Sequence, residues 1–152
     1  MNNNEYIEEF LIYEKKIKAL SDNTVKAYNF DLDILSSFSG ERELDFPSFS
    51  NEDAREFMRK LEKDGRAEKT RLRILTCCHT FFTYLEKSGE VDFNPFDSIS
   101  LRSGGRRLPS VLTVDEVKEL LSLPVNNFKD ERDHILFLFL YTTGCRISEA
   151  LS

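Results

Sequence analysis

Apolar residues recur every three or four positions through four successive blocks of this chain, and no alternating strand pattern runs through it. That period lines one face of a helix, whereas a half-buried strand needs a period of two. The pattern therefore predicts an all-α fold. The first block carries Tyr6, Ile7, Phe10, Leu11, Ile17 and Leu20 and predicts a helix over residues 4–20. Ser21 and Asn23 are good caps for a second helix, whose stripe is Val25, Tyr28, Leu32, Leu35 and Phe38 and which Gly40 should end. Residues 41–49 hold Pro47 and no sustained period, so they read as a loop. Ser50 and Asp53 form a capping box for a third helix, with Ala54, Phe57, Met58 and Leu61 inward and Gly65 as its stop. A fourth helix over residues 68–87 carries Leu72, Leu75, Phe82 and Leu85, widened by Ile74, Cys78 and Phe81. Gly89 closes it and Asn94-Pro95 turns the chain.

Four helices with short connections describe a small helical domain, and its expected bounds are 1–99. Residues 100–110, with Gly104-Gly105 beside Arg106 and Arg107, read as a linker. A further region, 111–152, opens with a capping box of Thr113 and Glu116, ahead of a helix carrying Val117, Leu120 and Leu121 that ends before Pro124. An apolar helix over residues 132–141 follows, long enough to be buried and too short and too flanked by charge to span a membrane. Gly144 breaks it, and Arg146 comes two residues later. An arginine placed there is expected to be held by rigid walls with its planar fork free to take a phosphate, and Glu149 is placed to restrain it.

The net charge is −6, which argues against a nucleic-acid partner unless the charge is unevenly distributed. It is uneven. Residues 22–58 carry nine acids against three bases, while residues 66–80 carry Arg66, Lys69, Arg71 and Arg73 against Glu68 alone. Residues 101–107 add Arg102, Arg106 and Arg107 with no acid. Lys69 and Arg73, and one turn on Thr76 or Thr80, lie away from the apolar stripe of the fourth helix. An apolar back and a basic front end suit a major groove, which admits one α-helix. Three cysteines, two of them adjacent, make no disulfide framework, and two histidines give no zinc spacing, so reduced and mostly buried thiols are expected. The Asn/Glu-rich N-terminus has no signal-peptide character, and the cytoplasm is the expected compartment.

Gly-x-Arg alone is an ordinary helix stop beside a surface ion pair. The longer string says more. Asp133, the apolar run, Leu140-Tyr141, Thr143-Gly144, Arg146, Ser148-Glu149 and Leu151 together resemble the first conserved box of the tyrosine recombinases, or phage integrases, and most of all their bacterial Xer branch. Upstream, Thr24-Val25, Tyr28, Leu32, Thr70, Arg73, Phe82, Tyr84-Leu85 and Asn94-Pro95 also stand where that family's pattern puts them. His79 departs from it, since the family often has arginine there.

The resemblance implies a SAM-like core-binding domain, an interdomain linker that crosses the DNA backbone, and the first helices of a catalytic domain, together forming a C-shaped clamp. It implies that Arg146 is the first of the catalytic arginines that bind the scissile phosphate. Strand exchange in this family proceeds through a 3′-phosphotyrosine, and two arginines stabilise the charged transition state, so no metal or other cofactor is implied. The remaining catalytic groups of the family lie beyond its first box. The tyrosines here, at 6, 13, 28, 84 and 141, all precede Arg146 and read as core or groove residues. The chain is thus expected to be the N-terminal part of a longer recombinase, able to bind double-stranded DNA and not to cleave it. The whole enzyme would work as a homo- or hetero-tetramer of protomers in the synapse. A task in chromosome partition and one in mobile-element integration both fit. Within the chain, Lys69, Thr70 and Arg73 are the groove candidates, and Thr24, Lys26, Arg106 and Arg107 the phosphate candidates. Two other readings stay open: a non-catalytic DNA-binding module that competes for recombination sites, and an acidic helical interaction module without DNA affinity.

Overall fold

The computed structural model of the chain describes residues 2–100 and 110–152, so Arg106, Arg107 and nearly all of the expected linker lie outside the described residues. Every regular element among the described residues is helical: α1 (Asn3–Lys16), α2 (Asp22–Glu41), a single 3₁₀ turn (Phe46–Ser48), α3 (Asn51–Lys63), α4 (Glu68–Lys87), α5 (Val114–Leu121), α6 (Phe128–Thr143) and α7 (Ile147–Ala150). They divide into two compact units, Met1–Arg106 and Arg107–Ser152.

In the first unit α1 begins with a capping box, the Asn2 side chain accepting from the Glu5 N–H at 2.9 Å and the Asn2 N–H donating to Glu5 at 2.8 Å. It stops at Lys16, four residues short of the expected end, and Ile17 is 71% exposed rather than part of the stripe. The chain must reverse before the Ser21 cap of α2, and it does so through Ala19, whose φ is 52°. α2 runs one residue past Gly40, contrary to the expected stop there. The left-handed residue is Glu43, with a φ of 54°, and the Leu44 N–H returns to the Ser39 carbonyl at 2.9 Å. This is a Schellman close, and Leu44 at its end packs against the core. α3 keeps its expected Ser50–Asp53 capping box, and α4 spans the expected residues. Gly65 and Gly89 supply the left-handed residue after each, at φ 72° and 77°.

The core between these helices is largely aromatic. Phe10, Phe38, Phe46, Phe57, Phe81, Phe82 and Phe96 are all fully buried. Phe46 meets Phe81 edge-on at 5.2 Å and Phe82 at 5.9 Å, while Phe49 stacks on Phe96 at 6.0 Å. Two of these rings come from the segment expected to be a plain loop, whose 3₁₀ turn drives Phe46 inward. Asn3 pins that turn, accepting from the Phe46 N–H at 2.9 Å and donating to the Leu44 carbonyl at 2.8 Å. After α4 the chain returns to the core at Asn94, which is buried. Its side-chain amide donates to the His79 carbonyl at 3.0 Å and the Thr83 hydroxyl at 2.9 Å and accepts from the Phe96 N–H at 3.0 Å.

In the second unit the Thr113–Glu116 capping box forms, with the Thr113 N–H on Glu116 at 2.7 Å. α6 starts a turn earlier than residue 132, because Asn127 accepts from the Lys129 and Asp130 N–H groups at 2.9 and 3.0 Å and so opens a charged first turn. The expectation that this helix is buried does not hold. Ile135, Phe139 and Tyr141 are 59%, 48% and 57% exposed, since α5 and α7 are the neighbours it has within its unit and they cover one stripe. No described helix is long and apolar enough to cross a membrane.

Candidate nucleic-acid interface

Lys69, Arg73, Thr76, Thr80, Thr83 and Lys87 of α4 fall in one row at helical spacing, Thr80 and Thr83 half-buried, and the exposed Glu68, His79 and Glu86 lie on the outer side of the helix beside it. No acidic residue falls on it. The three threonine hydroxyls each donate to the carbonyl one turn back, Thr76 to Leu72 at 2.9 Å, Thr80 to Thr76 at 2.9 Å and Thr83 to His79 at 2.8 Å. The row is therefore cationic at both ends and hydroxylic between them. His79 lies beside it, Nε2 at 2.9 Å from Asp97, so the residue that departs from the family's arginine is already engaged within the chain.

α2 packs along α4 in the opposite sense. Asp31 meets Arg73, while Tyr28, a turn earlier on α2, meets Cys77 and Thr80, further along α4. Thr24 and Lys26 therefore lie toward the Thr83 end of the row, and Lys69 and Thr70 mark the other end, about 20 Å away at 1.5 Å per residue. Thr24 is spent on the cap of α2, its hydroxyl 2.9 Å from that of Ser21. Lys26 and Lys69 are exposed and form no ion pair within 4 Å among the described residues, although Lys26 acts electrostatically on Asp22 one turn before it. Thr70 is half-buried. Of the sequence candidates, then, Lys69, Thr70 and Arg73 share the first turns of α4, and Thr24 and Lys26 share the start of α2.

Arg73 is not a free cation. Its Nη1 lies 2.7 Å from Oδ2 of Asp31, whose side chain is 1% exposed while that of Arg73 is 47% exposed. Burial pushes the Asp31 carboxyl above its ordinary value, against the pull of the Arg73 guanidinium and of Arg66. The other carboxylate oxygen, Oδ1, is buried without a hydrogen-bond partner. Sequence reasoning missed Asp31, although a signal was present. It sits three residues after Tyr28 and four before Leu35, in register with the apolar stripe, where a carboxylate must find a cation. Glu14 repeats the case four residues after Phe10, buried with Lys18 at 3.1 Å.

In the second unit Gly144 adopts φ 66° and ends α6. Arg146 follows, its backbone N–H donating to Glu149 Oε2 at 2.8 Å and its Nη1 to Oε1 at 2.9 Å. These two bonds hold the Glu149 carboxyl below its ordinary range. The restraint expected of Glu149 is thus present, but among the described residues no rigid walls surround Arg146, whose side chain is 82% exposed. Cys77 and Cys78 are buried free thiols and Cys145 is a half-buried one, and the described residues contain no cluster of metal-ligating side chains.

Residues 7–89 match the family described as phage integrase, N-terminal SAM-like domain. Similarity also runs over nearly the whole chain. It is 33% identical over 149 residues to tyrosine recombinase XerC of Herpetosiphon aurantiacus, covering 96% of this chain and 49% of that protein. It is 34% identical to XerC of Roseiflexus sp. and 32% identical to tyrosine recombinase XerD of Listeria monocytogenes, each over 98% of this chain and 49% and 51% of the relative. The chain thus spans about half the length of each of these relatives. A helical unit ending on the basic row of α4, a glycine-stopped helix leading to Arg146, and these matches agree: the chain belongs to the phage integrase family with an N-terminal SAM-like domain, and its similarity is to the Xer tyrosine recombinases.

Proposed function

We propose that this chain is the DNA-clasping part of a site-specific tyrosine recombinase. The residues 1–99 lay α4 into the major groove of a half-site, residues 100–110 cross the backbone, and residues 111–152 begin the catalytic domain. The observation that carries the reading is the row on α4, with Lys69 and Arg73 at one end and Lys87 at the other, on a chain whose net charge is −6. Lys69 and Lys26 neutralise phosphates about one groove apart, Thr24 and Thr70 flank them, and Arg106 and Arg107 do the same from the linker. Arg146 binds the scissile phosphate in the whole enzyme, positioned by Glu149, and neutralises charge that gathers on the non-bridging oxygens. A tyrosine hydroxyl attacks that phosphorus, forming a 3′-phosphotyrosine and releasing the 5′-hydroxyl, so the bond energy is kept for religation.

Binding of the chain to random duplex DNA at about 50 and about 200 mM salt tests the reading, because counterion release makes phosphate binding fall steeply between them. A steep fall, flattened by a slope of about 0.9 in Lys69→Ala, is expected. Arg107→Ala should weaken all sequences alike. Absence of binding at the lower salt, in the chain and in a form extended beyond Ser152, would refute the proposal.

A further inference from the structure

Asp31 is a group that the DNA-binding reading leaves unexplained, since a buried carboxylate facing α4 opposes a polyanion. Its geometry gives it a task. The Asp31 side chain is 1% exposed and its Oδ2 holds Nη1 of Arg73 at 2.7 Å, while about half of the Arg73 side chain stays exposed on the row with Lys69 and Thr76. A guanidinium has five donors in a rigid fork, so one bond to Asp31 restrains it and leaves its other donors for further partners. A loose arginine surrenders rotamer freedom whenever it makes a contact, and an anchored one has already done so. The carboxylate also cancels the net charge of the pair. A neutral pair is a poor anchor for phosphate, in contrast to unpaired Lys69, yet it keeps directional donors for neutral acceptors.

Resting on the reading above, we infer that Asp31 is a positioning residue that presents Arg73 to the O6 and N7 acceptors of one guanine in the half-site, making the Asp31–Arg73 pair a specificity determinant rather than a phosphate contact. Bidentate Arg–guanine pairing is the commonest specific contact in the major groove, and it requires the fork to be held in the plane of the base. α2 holds it through Asp31.

The test is selection of binding sequences from a randomised duplex pool by the 152-residue chain at about 50 mM salt, with base preferences compared for the unaltered protein, Asp31→Asn and Arg73→Ala. The expected result is that both substitutions relax one and the same guanine, each by roughly 5- to 150-fold, while other positions and the salt slope stay as they were. Asp31→Glu keeps the charge and displaces it by one methylene, and reads out the same base pair should Asp31→Asn fail to fold. An unchanged base profile with a lowered melting temperature would reduce Asp31 to a helix-to-helix clamp and overturn the inference. A uniform loss across all sequences would make Arg73 a phosphate contact and overturn it too. If the unaltered chain binds duplexes without preference, this inference fails alone; if it binds none, the reading beneath it fails as well.

Discussion

Replacing Phe46 with alanine should unfold the first unit more readily than any change its position in a non-periodic segment suggests. The ring is fully buried and touches Phe49, Phe81 and Phe82, so nothing can slide in to fill its place. A buried aromatic of this kind removes about 150 Å² or more from water, worth about 4 kcal/mol at 25 cal/mol per Å². Measured Phe→Ala losses in cores run at about 3–5 kcal/mol, in agreement. Against a total stability of about 5–15 kcal/mol, this lowers the melting temperature by roughly 15–30 °C. Tyrosine fluorescence is a suitable readout, since four of the five tyrosines lie in the first unit. In urea the midpoint should fall while the slope stays constant. Phe93→Ala, at a ring that is 48% exposed, serves as the control and should shift stability by no more than about 0.5 kcal/mol. A loss below about 1.5 kcal/mol at Phe46, or equal losses at both sites, would refute the idea that the 3₁₀ turn is anchored through its ring.

Arg73→Ala should cost about 2–3 kcal/mol near neutral pH, less than the loss for a wholly buried pair because Arg73 is half in water. Burial already raises the Asp31 carboxyl above its unfolded value, and losing the guanidinium raises it further. The folded state then holds the proton more tightly, so stability falls as pH rises through the folded value, and the gap to the unaltered protein should narrow as the pH is lowered from neutral. A gap of constant size in thermal melts would contradict this. Asn94→Ala strands the Phe96 N–H and removes two donors from α4, for a loss of about 1–3 kcal/mol in urea unfolding; a loss under about 0.5 would show that water replaces the amide. Thiol labelling of the native protein should find Cys145 fast and Cys77 and Cys78 slow, because burial pushes the latter two thiols far up; rapid labelling of all three would mean that α4 opens readily.

The helices were legible in the sequence wherever two local signals agreed. Ser50 with Asp53, Thr113 with Glu116, and Gly65 and Gly89 mark ends that short-range hydrogen bonding dictates. The errors fall where distant packing decides. α1 stops early because the chain must reverse before Ser21, and α2 outruns Gly40 because Leu44 and Phe46 need burial, which makes Glu43 take the left-handed place. At the candidate interface, the placing of Lys69, Thr70 and Arg73 together on the first turns of α4 was readable from one helical period. Asp31 was not read, because charge was counted along the chain rather than by face. Arg146 and Glu149 were found by spacing, whereas the exposure of Arg146 depends on what lies around it and no spacing carries that.

Asn94 also decides where a pull on the chain would be felt. A segment leaving a helix end ordinarily transmits tension to the last turn, which frays first. Here residues 88–93 are bypassed, because Asn94 grips the His79 carbonyl and the Thr83 hydroxyl, and Phe96 is seated among Phe49, Phe57 and Phe82. Strain arriving from beyond residue 100 is delivered sideways into the middle of α4 and the aromatic core, where several bonds must yield together. The exit of this unit is mechanically a rivet, set at the Thr83 end of the helix that carries its basic row.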